Sequence, residues 1–158
     1  NAIVGFSNVL VTGECSSEEQ KEFVGVIQTN SDLLLRLIGD ILDISRLETG
    51  RLKFNFESCD LVALCRNVLA TTSYSKKEGV EYDFYSRYDS YLLETDIQRL
   101  QQILINLLSN ANKFTESGKI TLEFEVDEAH RMVQFAVSDT GCGIPKEKQE
   151  KVFERFEK

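Results

Sequence analysis

The 158-residue chain has no tryptophan, one proline, one methionine and one histidine. A single proline leaves few rigid turns and suits helix-rich structure. The four cysteines, Cys15, Cys59, Cys65 and Cys142, show no Cys-x-x-Cys spacing and no histidine nearby. That argues against a zinc site or a redox pair, and makes reduced cytosolic thiols the expectation. No apolar run approaches the roughly 20 residues of a bilayer-spanning helix. No basic patch stands out, and phosphate-backbone binding needs one, so DNA and RNA are not expected partners. Net charge is −8: residues 1–50 carry eight acids and three bases (−5), residues 51–158 eighteen acids and fifteen bases (−3). At 42% apolar and 28% charged, the chain reads as soluble and globular, with room for one ordinary domain or two small ones.

Residues 2–12 are helix-compatible, with Ile3, Phe6, Val9 and Leu10 near one face and Gly13 as a stop. Ser16-Ser-Glu-Glu19 then forms a capping box that starts a second helix, which can run to Glu48 before Gly50. Such a helix is ~48 Å long, too long for a small core. Phe23, Ile27, Leu34, Leu37, Ile41 and Ile44 follow a 4-3 rhythm, with Asn30 in the remaining core position. One hairpin cannot bury this seam together with Leu33, Ile38, Leu42 and Leu47, whereas two hairpins can, as a four-helix bundle. A homodimer is therefore expected. Asn30 either fixes register or is a partly exposed amide.

Composition shifts after Gly50, which places a domain boundary near Arg51. Phe54 and Phe56, and later Tyr82 and Phe84, alternate with polar residues as in half-buried strands. Asp60 or Ser58 can cap a helix carrying Leu61, Leu64, Val68 and Leu69, and Asp96 can cap another running to about Lys113. Residues 120–126 and 133–138 alternate strictly around a polar turn at 127–131, predicting an antiparallel hairpin. The second region therefore reads as an α+β sandwich with helices on one sheet face.

Two segments 29 residues apart carry the chemistry. In the helix 96–113, Leu100, Ile103, Leu104, Leu107, Leu108 and Ala111 are expected on the packing side, and Gln102, Asn106, Asn110 and Lys113 on the opposite side. Amide oxygens suit Mg²⁺, and an ammonium suits phosphate; the same pattern also describes a solvated polar face. In Asp139-Thr-Gly141-Cys-Gly143-Ile-Pro145 the carboxylate can accept from the exocyclic amine of adenine, and the glycines allow close approach to a flat ring. An ordinary Asp-Thr-Gly turn has the same residues. The glycine pattern is neither a P-loop nor a dinucleotide fingerprint.

Taken together, the run from Asp96 through Asn106-Leu-Leu-Ser-Asn110-Ala-Asn-Lys113-Phe-Thr115 to Gly118 resembles the N box of sensor histidine kinases. Asp139–Pro145 resembles their first glycine box, and Val152-Phe153-Glu-Arg-Phe156 their F box. Asp40-Ile-Leu-Asp-Ile-Ser-Arg46-Leu-Glu48-x-Gly50 resembles the end of the second dimerisation helix. Asn1-Ala-Ile-Val-Gly-Phe6 resembles the residues just after the phosphoacceptor motif.

The resemblance covers nearly the whole chain. It implies a dimerisation hairpin over 1–50, forming a dimeric four-helix bundle, and an ATP-binding catalytic domain over 51–158 of the histidine-kinase ATPase type. It implies that Asn110 coordinates Mg²⁺ on the ATP phosphates, that Asn106 assists at the metal or phosphates, and that Lys113 contacts phosphate. Asp139 would hold the adenine amine, Gly141 and Gly143 would shape the pocket, and Phe153 and Phe156 would border the lid. The latter two equally suit local packing of a short helix. The implied activity is ATP-dependent autophosphorylation on histidine and transfer to an aspartate of a response regulator, with motion between the domains hinged near Gly50–Lys53. The implied location is the cytoplasmic portion of a parent that can be an inner-membrane sensor, with membrane attachment only through parent segments beyond this chain.

Two departures shape the expectation. The phosphoacceptor histidine is expected upstream of Asn1, so no catalytic residue of that kind is present. The only histidine, His130, falls in the predicted hairpin turn. The second glycine box is absent, so the ATP-binding domain reads as incomplete at its C-terminus and the chain alone as inactive. The rivals are another ATPase of the same nucleotide fold, of chaperone or mismatch-repair type, and a non-catalytic dimerisation module derived from a kinase.

Overall fold

The computed structural model describes residues 2–13, 15–74 and 77–152. The chain divides into two compact units, Asn1–Lys53 and Phe54–Lys158.

The first unit is a helical hairpin of α1 (Ala2–Thr12) and α2 (Ser17–Glu48). Gly13 and Gly50 sit at φ +72° and +63°, the left-handed backbone that lets each helix end there. The predicted capping box is formed: Glu19 N–H donates to Ser16 Oγ at 3.3 Å, and Ser16 N–H donates back to Glu19 Oε2 at 2.8 Å. Donation from the Ser16 N–H, and then from the Ser16 hydroxyl, holds the Glu19 carboxyl below its ordinary range. The hairpin packs where its arms overlap, with Phe6 stacked on Phe23 at 5.0 Å between ring centroids. Because α1 is 11 residues and α2 is 32, the lower seam has no cover from α1. Leu34, Leu37, Ile41 and Ile44 are exposed, and no described residue of this unit is buried. Asn30 is half-buried and donates its amide to Val26 O at 2.8 Å, so its own helix satisfies it.

The second unit runs β1 (Glu57–Asp60), α3 (Leu61–Ser73), β2 (Val80–Tyr85), β3 (Leu92–Thr95), α4 (Ile97–Phe114), β4 (Gly118–Asp127), β5 (Met132–Asp139) and the short α5 (Lys146–Gln149). Strands β1 and β3 pair antiparallel; β2, β4 and β5 form a second sheet with β2 parallel and β5 antiparallel to β4. Alternation sends Ile120, Leu122 and Phe124 of β4 to one side, where they are buried beneath α3 and α4. Leu61, Leu64, Cys65 and Val68 of α3 and Leu104, Leu108 and Ala111 of α4 complete the core. Phe124 is its aromatic centre, with Phe135 at 5.7 Å and Tyr88 stacked at 5.9 Å. Lys119 pairs with Asp83, and Arg87 with Glu125 at 2.7 Å, on the surface of the sheet.

The expected 120–126/133–138 antiparallel hairpin forms, with Ile120 opposite Asp139 and Val126 opposite Val133. His130 is exposed in its turn, with Nδ1 2.7 Å from Asp127 Oδ2. Of the two possible caps for α3, Asp60 is the one used: its Oδ1 accepts from Val62 N at 3.0 Å and from Tyr91 N at 3.2 Å.

Two expectations are corrected. Phe54 and Phe56 lie in no strand: residues 51–56 are irregular, β1 begins at Glu57, and both rings are exposed. Their alternation continues only into the short β1, whose single strand neighbour is β3. On α4, Ile103 (56% exposed) and Leu107 face away from the sheet, while Ile105 packs against the core. The buried stripe centres on Leu104, Leu108 and Ala111, rotated away from Ile103 and Leu107 by a fraction of one residue's turn.

Candidate functional site

Asp96 sets the position of α4. Its Oδ1 accepts from Arg99 N at 3.1 Å, the N-cap bond that fixes the first turn. Hydrogen bonds, first from the Asn55 amide and then from Arg99, hold its carboxyl below the ordinary range. From that start, about 100° of rotation per residue turns Leu104, Leu108 and Ala111 inward. Asn106, Asn110 and Lys113 are consequently exposed, on the same side as Ile103, Leu107 and Phe114. The outward face is therefore amides and an ammonium set in apolar surface, rather than a uniformly polar one. Lys113 Nζ lies 5.1 Å from the Phe114 ring centroid.

Strand β5 delivers the second segment. Because Ile120 pairs with Asp139, the end of β5 returns beside the start of β4, five residues after Thr115. Asp139 is exposed there, and its Oδ1 accepts from Gly141 N at 2.8 Å, folding the loop back on itself. Cys142 N–H donates to Phe114 O at 3.4 Å. At Gly141 a Cβ would meet Phe114 O first, with Asp139 Oδ1 at 2.8 Å and the Phe114 carbonyl carbon at 2.9 Å. Glycine is required at 141 by this close approach, which fastens the loop to the last turn of α4. At Gly143, whose φ is +68°, a methyl would meet no heavy atom within 4 Å, so the requirement there is conformational only.

The two segments thus meet at one corner: Asn106, Asn110 and Lys113 on the exposed side of α4, and Asp139, Gly141 and Gly143 in the loop bonded to its end. Phe153 and Phe156 lie outside the described residues.

Sequence reasoning missed the residues that hold this corner. Thr140 Oγ1 accepts from Lys119 N at 3.0 Å, and Thr140 N–H donates to Lys119 O at 3.1 Å. Gly118, at φ +111°, makes room for that hydroxyl. Lys77 donates to the carbonyl of Lys113 at 3.0 Å and pairs with Glu116 at 2.8 Å, capping the C-terminal end of α4. Thr115, fully buried, closes the helix. Only the Asp-Thr-Gly turn was visible beforehand; the Lys77 and Gly118 contacts are long-range pairings with no local pattern.

Among the described residues no three His, Cys, Asp or Glu side chains cluster as a metal cage. The amide oxygens of Asn106 and Asn110 fit a different arrangement, in which Mg²⁺ takes one or two protein ligands and completes its shell with phosphate and water.

Comparison with known proteins agrees with this architecture. A helical hairpin followed by an α+β sandwich of the histidine-kinase ATPase type is the fold class. Residues 1–50 match the family model "His Kinase A (phospho-acceptor) domain". Residues 95–158 match "Histidine kinase-, DNA gyrase B-, and HSP90-like ATPase". The sensor protein EvgS of Escherichia coli O157:H7 is 31% identical over 99% of this chain. Full-length ShkA, solved in complex with AMPPNP, superposes with a TM-score of 0.74 at 28% identity, over 97% of this chain and 33% of that one. The nucleotide-free catalytic domain of the histidine kinase ThkA is 31% identical with a TM-score of 0.58, covering 66% of this chain and 71% of that one. ThkA in complex with the response regulator protein TrrA matches 99% of this chain at 25% identity and a TM-score of 0.66, covering 46% of that chain. The chain belongs to the sensor histidine kinase family. It spans 14% of the length of EvgS.

Proposed function

We propose that the chain is the kinase core of a two-component sensor histidine kinase. The whole protein takes the γ-phosphoryl of ATP onto its own histidine and passes it to an aspartate of a response regulator. Residues 1–50 serve as the dimerisation hairpin and residues 51–158 as the ATP-binding domain, with movement at Gly50–Lys53 controlling their encounter. The observation that carries this reading is the corner between α4 and the glycine loop, where Cys142 N–H donates to Phe114 O and a methyl at Gly141 would strike the same carbonyl. Two segments that are each ambiguous alone become one surface there.

At that surface the Gly141 N–H orients Asp139 through Oδ1, leaving Oδ2 for the adenine amine. Gly141 and Gly143 let the base lie against backbone. Lys113 offers its charge to phosphate, and Asn106 and Asn110 hold Mg²⁺, which neutralises phosphate charge when bound. Acceleration then comes from positioning and charge stabilisation rather than from a protein nucleophile in this unit.

The exposed lower seam of α2 supports a homodimer: Leu37, Ile41 and Ile44 face outward along one helix, and no described residue of the hairpin buries them. The response regulator is the phosphoryl acceptor. The core operates on the cytoplasmic side, as the family resemblance implies. An ATPase of chaperone or mismatch-repair type is disfavoured by Asn106, whose amide cannot act as a base toward water. A non-catalytic module is disfavoured by the intact Asn110 and Asp139.

The test is Asp139→Asn in the intact protein. The amide keeps an oxygen for Gly141 but turns a donor toward the adenine amine, so ATP affinity falls on the order of 100-fold. Unchanged affinity refutes the assignment.

A further inference from the structure

Asp96 does more than a helix cap requires. One oxygen, Oδ1, accepts from Arg99 N at 3.1 Å and suffices for the cap. The other, Oδ2, accepts from Asn55 N at 3.0 Å, across 41 residues of sequence. Asn55 lies in the irregular segment 51–56, through which the chain passes from the first unit into the second. Strand β1 starts two residues later, with Glu57 opposite Thr95. The Asn55–Asp96 bond therefore extends the β1–β3 pairing by one more link, with a carboxylate in place of a backbone carbonyl. The Asn55 side chain in turn donates to Glu57, which braces the donor.

The same carboxylate begins α4, an unbroken helix of 18 residues. Asn106 is ten residues along it, about 15 Å from the cap at 1.5 Å per residue. A packed helix shifts as a unit rather than bending locally. Asp60 offers an internal comparison. It also caps a helix and takes a second donor, but that donor is Tyr91, just before β3, and not a residue of the segment by which the chain enters the second unit.

We propose that Asp96 is a positioning residue, fastening the segment that enters the second unit to the start of the helix bearing Asn106 and Asn110, so that displacement of the segment reaches those amides. The proposal rests on the kinase reading above. It assigns to the N-cap a part in coupling the hairpin to the nucleotide site.

Two substitutions break the link from opposite ends. Asp96→Ser keeps an N-cap oxygen but is too short to serve both donors; Asn55→Pro removes the donated N–H and leaves Asp96 intact. In the intact protein each lowers the kcat of autophosphorylation about tenfold, the worth of one hydrogen bond to a charged group. The ATP KM stays within about twofold, because the residues that touch nucleotide are unchanged. The double variant is no worse than either single one, because both remove the same bond. Amide exchange supplies a readout independent of activity: Asp96→Ser speeds exchange at Asn55 about tenfold while Arg99 stays protected. Multiplicative losses in the double variant, parallel losses in kcat and KM, or an Asn55 amide already unprotected in the native protein would each overturn the proposal. Absence of ATP binding by the unsubstituted protein would instead sink the kinase reading, and the exchange measurement still decides whether the link exists.

Discussion

Gly141→Ala isolates the contact that joins the two halves of the site. The added methyl would sit 2.8 Å from Asp139 Oδ1 and 2.9 Å from the Phe114 carbonyl carbon, with the Phe114 oxygen closer still. Carbon contacts are comfortable at about 3.5–4.0 Å, so the methyl falls about 1 Å short. The Phe114 carbonyl belongs to the last turn of α4, which the buried Leu108, Ala111 and Thr115 anchor, so it cannot yield. The loop must move instead, losing the Gly141–Asp139 bond at 2.8 Å and the Cys142–Phe114 bond at 3.4 Å. Overpacking of this kind costs about 1–3 kcal/mol, and a lost hydrogen bond adds about 1 kcal/mol. A total near 3 kcal/mol lowers the melting temperature of the second unit by roughly 15 °C. A displacement of about 1 Å at Asp139 also weakens the site on the order of 100-fold. Thermal melting followed by circular dichroism and titration with a fluorescent ATP analogue read the two effects. Gly143→Ala is the control: its methyl meets nothing within 4 Å, and only the φ of +68° opposes it, at a cost of about 1 kcal/mol. The reasoning is refuted if Gly141→Ala melts and binds like the native protein, or if Gly143→Ala is the more damaging change.

Ile41, 64% exposed in the single hairpin, belongs to the proposed dimer seam; Ile41→Glu should convert dimer to monomer in sedimentation equilibrium, and an unaltered dimer would place the interface elsewhere. Acid should destabilise the second unit through Asp60, whose carboxyl is held low chiefly by the Tyr91 amide. A depressed folded-state pKa favours folding above the ordinary value of 3.8, and that contribution is lost as pH falls through the lowered value. Helical circular dichroism should therefore hold down to about pH 5 and decline below about pH 4, with a shallower decline in Asp60→Asn. Burial pushes the Cys65 thiol up to about 12 and raises Cys59 as well, whereas Cys142 is exposed in the glycine loop. Iodoacetamide at about pH 8 should then label Cys142 and spare Cys59 and Cys65, with ATP slowing the Cys142 reaction; mass spectrometry reads both.

Local rules were legible wherever a short stretch satisfied itself. The Ser16–Glu19 box, the Asp96 cap and the glycines at 13 and 50 involve partners within a turn or two, so residue identity and spacing were enough. The β4–β5 hairpin was readable for a similar reason: strict alternation on both strands puts Ile120, Leu122 and Phe124 on one face of the first and Phe135 and Val137 on one face of the second, and the pairing joins those two faces. Strand β3 escaped notice because Leu92–Thr95 is four residues long and its pairing with β1 spans a helix and another strand. The rotation of α4 was misjudged by a fraction of one residue's turn. Periodicity counts apolar residues equally, and Ile103 and Leu107 weigh as heavily as the residues that are actually buried.

The chemical identities at the site, two amides, an ammonium, a carboxylate and two glycines, are properties of the sequence alone, as are the capped helices and the hairpin that carry them. Their assembly into one corner is a tertiary outcome. It depends on Ile120 pairing with Asp139, on Thr140 holding Lys119, and on Cys142 reaching the carbonyl of Phe114. Each of those contacts joins residues about 20 or more apart, and the geometry of such a contact is set by the packing of the sheet beneath it rather than by the residues at either end.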